Sequence, residues 1–386
     1  MEGSSRLYRR RLTGSSPDNH RPMIKVIISY ASAGAGHFKA AQAIYDYLKE
    51  ERSDLEIKII DVLKHSTPAL RVSYLFGYPF LVKYLQGIWR ALFWVTQVKP
   101  FRPLIRGVIA SLNRANTRAF AGFLIKENPG YIISTHFLTS EISAYLKRTG
   151  KINSRLITVI TDFGVHPFWL CAGTDLYITA SKASEELLIG EGVSLGKIRP
   201  FGIPVNPKFL KQYNKKELLE KFGLREGRFN VLVVTGSFGI GPIEKIIGLL
   251  HREAQILVVC ARNHKLYRKL KEKNYPHCLI FGFIDNMQEL MAVSDLIITK
   301  PGGMSISESL VMGLLPVFIS PIPGQENENV RILLSRGIGI YPEGVEGIRD
   351  AILDFKNNPH KLIKLRQDIA GFKKPYVLRD ISDVIR

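Results

Sequence analysis

The chain alternates short apolar runs with longer segments of helical period, the pattern of a parallel sheet whose strands are covered on both faces by helices. Strands are expected at 24–30, 56–61, 131–135, 156–160 and 176–179, then at 229–235, 255–260, 278–281, 296–299 and 317–320. Between the two sets lies GIPVNPKFLKQYNKK, residues 202–216, where a glycine, two prolines and a polar run interrupt the pattern. We therefore read an α/β protein of two doubly wound, Rossmann-like domains, 23–205 and 229–376, joined by a linker at 206–228. The 386 residues suffice for two substantial cores. Ligands of such pairs sit in the interdomain cleft, outside the carboxyl ends of the strands.

Residues 1–22 depart from this pattern. They are rich in Arg and Ser, lack an apolar period, and are expected to be disordered. A transit peptide has that composition. The segment is short for one, and Met23, directly before the first strand, is read as the start of the folded chain. The formal charge of +20, from 54 basic and 34 acidic residues, predicts affinity for polyanions. No RNP, KH or zinc-finger pattern accompanies it, so nucleic acid is not the expected partner. Cys171, Cys260 and Cys278 have neither disulfide-framework nor zinc spacing, which points to a reducing compartment. No uncharged apolar run reaches 18 residues, so no transmembrane helix is expected.

Between Val62 and Lys126 there are ten Lys or Arg residues and no Asp or Glu. Aromatic residues are interleaved with them. Trp89, Arg90, Phe93, Trp94, Lys99, Arg102 and Arg106 are expected to meet a membrane interface, where apolar bulk beside positive charge favours an anionic surface.

Candidate chemistry lies at the strand ends. After the first strand, Gly34 and Gly36 let the backbone pass close to a ligand, and His37 opens the following helix. After the fourth, TDFGVHPFW supplies Asp162, His166 and Trp169, with Asp162 and His166 expected to pair. Either His37 or Asp162 can take a proton from an attacking hydroxyl, because each titrates in a range that cleft neighbours tune. In the second half, the loop carrying Gly236 and Ser237 offers N–H groups to a diphosphate. Gly302 and Gly303 precede a helix expected to begin near Ser305. Its start attracts phosphate, while Glu308, about one turn in, is placed to bind ribose hydroxyls. Gln325 and Glu326 follow the last strand and suit a sugar. No DxD motif occurs, so neither a divalent metal nor another cofactor is required.

Four segments, SAGAGHFKAAQAI, TDFGVHPFW, FGFIDNM and the stretch from Thr299 to Asn329, resemble the glycolipid glycosyltransferases that include monogalactosyldiacylglycerol synthase and the processive diacylglycerol glucosyltransferases. The resemblance covers nearly the whole chain from Met23. It implies the GT-B fold, with a final helix at 377–386 returning to the first domain. It implies that His37 is essential at the acceptor site, with Gly36, His166 and Trp169 near the acceptor. It also places Phe283 and Ile284 at the nucleobase, and Arg262, Ser307 and Asn329 with the donor. Ala261 stands where the family commonly has glycine. The implied reaction is inverting transfer of a hexose from UDP-glucose or UDP-galactose to diacylglycerol or a glycosyl-diacylglycerol, at the cytoplasmic face of the cell membrane. A transferase acting on a polyprenyl-diphosphate acceptor, a UDP-sugar epimerase and a catalytically idle UDP-sugar sensor are the alternatives. Oligomeric state leaves no signal in the sequence.

Overall fold

A computed structural model describes residues 23–386 apart from 99, 235 and 237–240. The expectations for residues 1–22, Lys99 and Ser237 therefore lie outside the described residues. Two parallel sheets form the frame. The first contains β1 (Ile24–Tyr30), β2 (Leu55–Asp61), β3 (Tyr131–Ser134), β4 (Arg155–Val159), β5 (Leu176–Ile178) and β6 (Ile198–Arg199), in the order β2-β1-β3-β4-β5-β6. The second contains β7 (Asn230–Val234), β8 (Gln255–Val259), β9 (Cys278–Phe281), β10 (Leu296–Thr299) and β11 (Leu315–Phe318), ordered β11-β10-β7-β8-β9. In both, the strand order reverses beside the first strand, which opens a crevice at the carboxyl edge. Only β6 has no counterpart in the sequence reading. Two residues are too short a run to register as apolar periodicity.

The strands read as continuous apolar runs because both faces are covered. Helix Ala35–Glu51 packs Ala41, Ala43, Ile44 and Leu48 onto β1, and helix Val377–Val384 closes the same core with Val377, Leu378 and Ile381. The chain end is tied there too. Arg52 Nη1 donates to the carbonyls of Ser382 and Ile385, each at 3.1 Å, and the Tyr131 hydroxyl donates to Arg386 O at 2.9 Å.

Residues 206–228 are not a free linker. Helical turns at Pro207–Leu210 and Lys215–Lys221 bury Phe209, Leu218 and Leu219 with Leu232, Leu257 and Leu290 of the second core. Lys211, Lys215 and Lys216 of the polar run are exposed, whereas Pro204 is buried. A separate apolar cluster joins the domains, with Ala40, Phe163 and Ala180 from the first packed on Met304, Ile306, Phe318 and Val330 from the second. The cleft is thus closed at its base by apolar contact.

Candidate functional site

The site lies where the carboxyl edges of β1, β3 and β4 meet the loops after β10 and β11. The first domain supplies His37. Its Nδ1 lies 2.8 Å from Thr135 O and 2.9 Å from Thr161 Oγ1. A carbonyl can only accept, so Nδ1 carries the proton and Nε2 keeps its lone pair. Burial lowers the His37 pKa to about 4, against the opposing pull of the Thr135 carbonyl, so the ring is neutral at pH 7. His136 meets it edge-on, with ring centroids 4.5 Å apart. That second ring is buried, accepts from Leu138 N at 3.1 Å, and is likewise held neutral by burial and by its neighbour.

Asp162 lies one residue beyond Thr161 and is buried. Burial raises its carboxyl to about 6, offset by hydrogen bonds from the Asn329 and Gln325 amides. Those amides belong to the other domain: Asn329 Nδ2 donates to Asp162 Oδ1 at 3.3 Å, and Gln325 Nε2 donates to Oδ2. Asn329 completes its inventory across the cleft. Its Oδ1 accepts from Phe163 N at 3.0 Å and Gly164 N at 2.8 Å, while Nδ2 also donates to Pro301 O at 2.9 Å.

Glycine permits the closest approach of the two domains. A Cβ on Gly303 would sit 2.0 Å from Thr161 O, so no side chain fits there without parting the domains. Gly303 begins helix Gly303–Met312, two residues before the expected start, because Gly302 adopts the extended cap conformation. No side chain caps that helix, so its first N–H groups are free to meet an anion. Thr161 therefore holds His37 with its hydroxyl while its carbonyl abuts the start of this helix. Gly36 faces the same helix, its added Cβ 3.4 Å from Met304 Cγ. On the helix, Ser307 and Glu308 are buried, and Lys39 of the first domain donates to Glu308 Oε1 at 3.1 Å. Glu326 accepts from Ile322 N at 2.7 Å, and burial raises its carboxyl despite nearby Lys300.

Several expectations are corrected. Asp162 and His166 do not pair. The chain turns between them, and His166 instead contacts Thr96 Oγ1 at 3.0 Å through Nε2 and accepts from Phe168 N at 3.3 Å. Trp169 offers no acceptor surface, being buried with Ile160, Tyr177, Leu188 and Ile198. Gln325 and Glu326 each have a protein partner, Asp162 Oδ2 and Ile322 N.

In helix Gln86–Val95, Trp89 and Phe93 are one turn apart and turn inward. Trp94 is 64 % exposed, and Arg90 is exposed as well. Arg102 bonds Glu191 and Gln97 O, and Arg106 bonds Leu170 O. On the donor side, Arg262 and Phe283 are exposed and Ile284 half-buried. Gly236 holds φ 77° and Ala261 φ 49°, both left-handed, which explains why glycine suits position 261. Sequence reasoning missed Thr135, His136, Lys39 and the orienting hydroxyl of Thr161. Only the last two carried a signal, each being close to a named motif residue. Among the described residues no cluster of metal-ligating side chains forms, and no helix is long and apolar enough to cross a membrane.

Two Rossmann-like domains that face each other across a cleft, with a terminal helix returning to the first, define the GT-B class. The profile of monogalactosyldiacylglycerol (MGDG) synthase matches residues 37–205, and that of the glycosyltransferase family 28 C-terminal domain matches 230–363. The chain is a glycosyltransferase and belongs to the family these paired domains define. It is 28 % identical to a processive diacylglycerol beta-glucosyltransferase of Staphylococcus epidermidis, over 94 % of this chain and 93 % of that one. Among solved structures it is similar to MurG of Acinetobacter baumannii, with TM-score 0.58, 13 % identity and coverage of 94 % and 99 %. It is also similar to a UDP-GlcNAc 2-epimerase of Neisseria meningitidis, with TM-score 0.59, 12 % identity and coverage of 94 % and 99 %. At those identities the likeness establishes the fold, which transferases and epimerases share.

Proposed function

We propose that this glycosyltransferase moves a hexose from UDP-glucose or UDP-galactose to the hydroxyl of diacylglycerol or a glycosyl-diacylglycerol at an anionic membrane surface. One observation carries the reading: neutral His37, its Nε2 lone pair open, stands one residue's breadth from the uncapped start of helix Gly303–Met312. The diphosphate binds that helix start and the Gly236 loop. The acceptor hydroxyl attacks the anomeric carbon from the opposite face. Its oxygen bonds to carbon as the bond to the diphosphate breaks, the electron pair leaves with UDP, and the proton passes to His37 or Asp162. The helix N–H groups stabilise the growing charge on the leaving group. The configuration inverts to a β-glycoside, as the name of the Staphylococcus epidermidis relative indicates for that enzyme.

The acceptor class draws support from the apolar surface beside the cleft. Phe80, Tyr84, Ile88, Leu92, Trp94 and Leu104 are each more than half exposed along the helices that precede β3. Such a surface suits the membrane interface. The test incubates the enzyme with diacylglycerol in phosphatidylglycerol-containing vesicles and each UDP-hexose, then identifies products by mass and anomeric configuration. A β-glycosyl diacylglycerol is expected. Release of free hexose with no glycolipid from either donor overturns the reading.

Glu308 tests the donor half. Lys39 occupies Oε1, and Oε2 is assigned to the ribose hydroxyls. Glu308→Ala is expected to weaken UDP binding about tenfold, the loss of roughly one charge-assisted hydrogen bond. Unchanged affinity by titration calorimetry removes Glu308 from the ribose site.

A further inference from the structure

The helix that carries exposed Leu92 and Trp94 also touches the donor domain. Trp89 Nε1 donates to Pro323 O at 2.9 Å, a contact that joins residues 234 positions apart. Beside it the Phe93 ring lies on Gly324, where an added Cβ would come within 2.7 Å of ring carbons. Gly324 holds φ 97°, so the turn and the contact both demand glycine. The next residue is Gln325, whose amide reaches Asp162, and then Glu326. On its other side the Phe93 ring lies 4.7 Å from His166, which in turn contacts Thr96 at the end of the same helix. One ten-residue helix thus presents Ile88, Leu92 and Trp94 outward, while its inner face fixes the loop that carries Gln325.

We propose that Trp89 and Phe93 are positioning residues for the Pro323–Glu326 loop, so that membrane engagement of helix Gln86–Val95 and UDP-hexose binding reinforce each other. The inference rests on the reading that this loop faces the donor hexose. The physical basis is differential contact. The loop gains an indole donor and an aromatic floor only when the helix is seated on it, and a lipid surface that orders the helix leaves less entropy to be lost when the sugar binds. Linkage requires symmetry: if vesicles tighten UDP-hexose binding by some factor, UDP-hexose tightens vesicle binding by that same factor.

The experiment measures both affinities on the full chain, using UDP-glucose, UDP-galactose and vesicles of phosphatidylglycerol and phosphatidylcholine without diacylglycerol. In the wild-type protein the two coupling factors are expected to be equal and on the order of five- to tenfold. Trp89→Phe keeps the aromatic bulk and removes the donor. It is expected to raise KM for UDP-hexose about fivefold, the weight of one hydrogen bond, and to reduce the coupling. Vesicle affinity without nucleotide, kcat and thermal midpoint are expected to stay as they are, a split that general destabilisation does not produce. UDP-hexose affinity indifferent to vesicles in the wild-type protein overturns the proposal without any variant. Full coupling retained in Trp89→Phe overturns it as well. Failure of both UDP-hexoses to bind the wild-type protein instead sinks the donor reading on which the proposal stands, and the proposal with it.

Discussion

Replacing His37 by alanine is expected to lower kcat about 10²- to 10⁴-fold, the range for loss of a positioned proton acceptor, while leaving UDP affinity unchanged. The site separates those two quantities. His37 is fixed by Thr135 and Thr161 of the first domain, whereas the helix start and Glu308 belong to the second. The neutral state is built in, because burial that brings the pKa to about 4 leaves the imidazole unprotonated throughout the neutral range. His37→Gln, which keeps a polar group but offers no base of useful strength, is expected to be as inactive as the alanine variant. Steady-state rates on diacylglycerol vesicles beside calorimetric UDP titration decide it. Wild-type turnover in either variant assigns the proton to another group, and weakened UDP binding shows that the histidine acts through cleft closure instead.

How much of this was legible beforehand follows from which interactions are local. The strands other than β6 were readable because each is an apolar run bounded by turn residues, and the Gly302-Gly303 turn because it has no side chain to disguise it. Residues 206–228 misled because lysine and other polar residues dominate their composition, while three apolar residues, Phe209, Leu218 and Leu219, are buried in the second core. The membrane set was partly misassigned for a related reason. Composition counts every aromatic and cation in a segment, but a helix has two faces, and only the fold shows that Trp89 and Phe93 lie against the second domain. Trp169 illustrates the same limit, since a motif neighbour of the cleft is a core residue by orientation. Contacts between domains were the least accessible. Asp162 with Asn329, Lys39 with Glu308, and Thr161 with Gly303 each join residues far apart in sequence that share no local pattern, yet they define the site.

Asp162 carries the second large expectation. Its carboxylate is the shared acceptor for Gln325 and Asn329, and burial raises its pKa to about 6. Asp162→Asn preserves shape but turns an amide N–H₂ towards one of two amide donors, so one interdomain bond must break. The expected cost is about 10²-fold in kcat/KM, which is the effect of losing a buried charge-assisted contact and its positioning. The pH profile separates this residue from His37. If the ionised carboxylate is the active form, wild-type kcat/KM falls about tenfold per pH unit below about 6. In Asp162→Asn that limb disappears, and the residual activity holds until His37 begins to protonate near pH 4. The same proton has a thermodynamic signature. Between about pH 4 and 6 the folded wild-type protein binds more protons at Asp162 than the unfolded chain does, so its stability relative to Asp162→Asn decreases as pH rises through that window. An acid limb that stays near pH 6 in Asp162→Asn places the titrating group elsewhere. A stability difference independent of pH shows that the carboxyl is not held above its ordinary range.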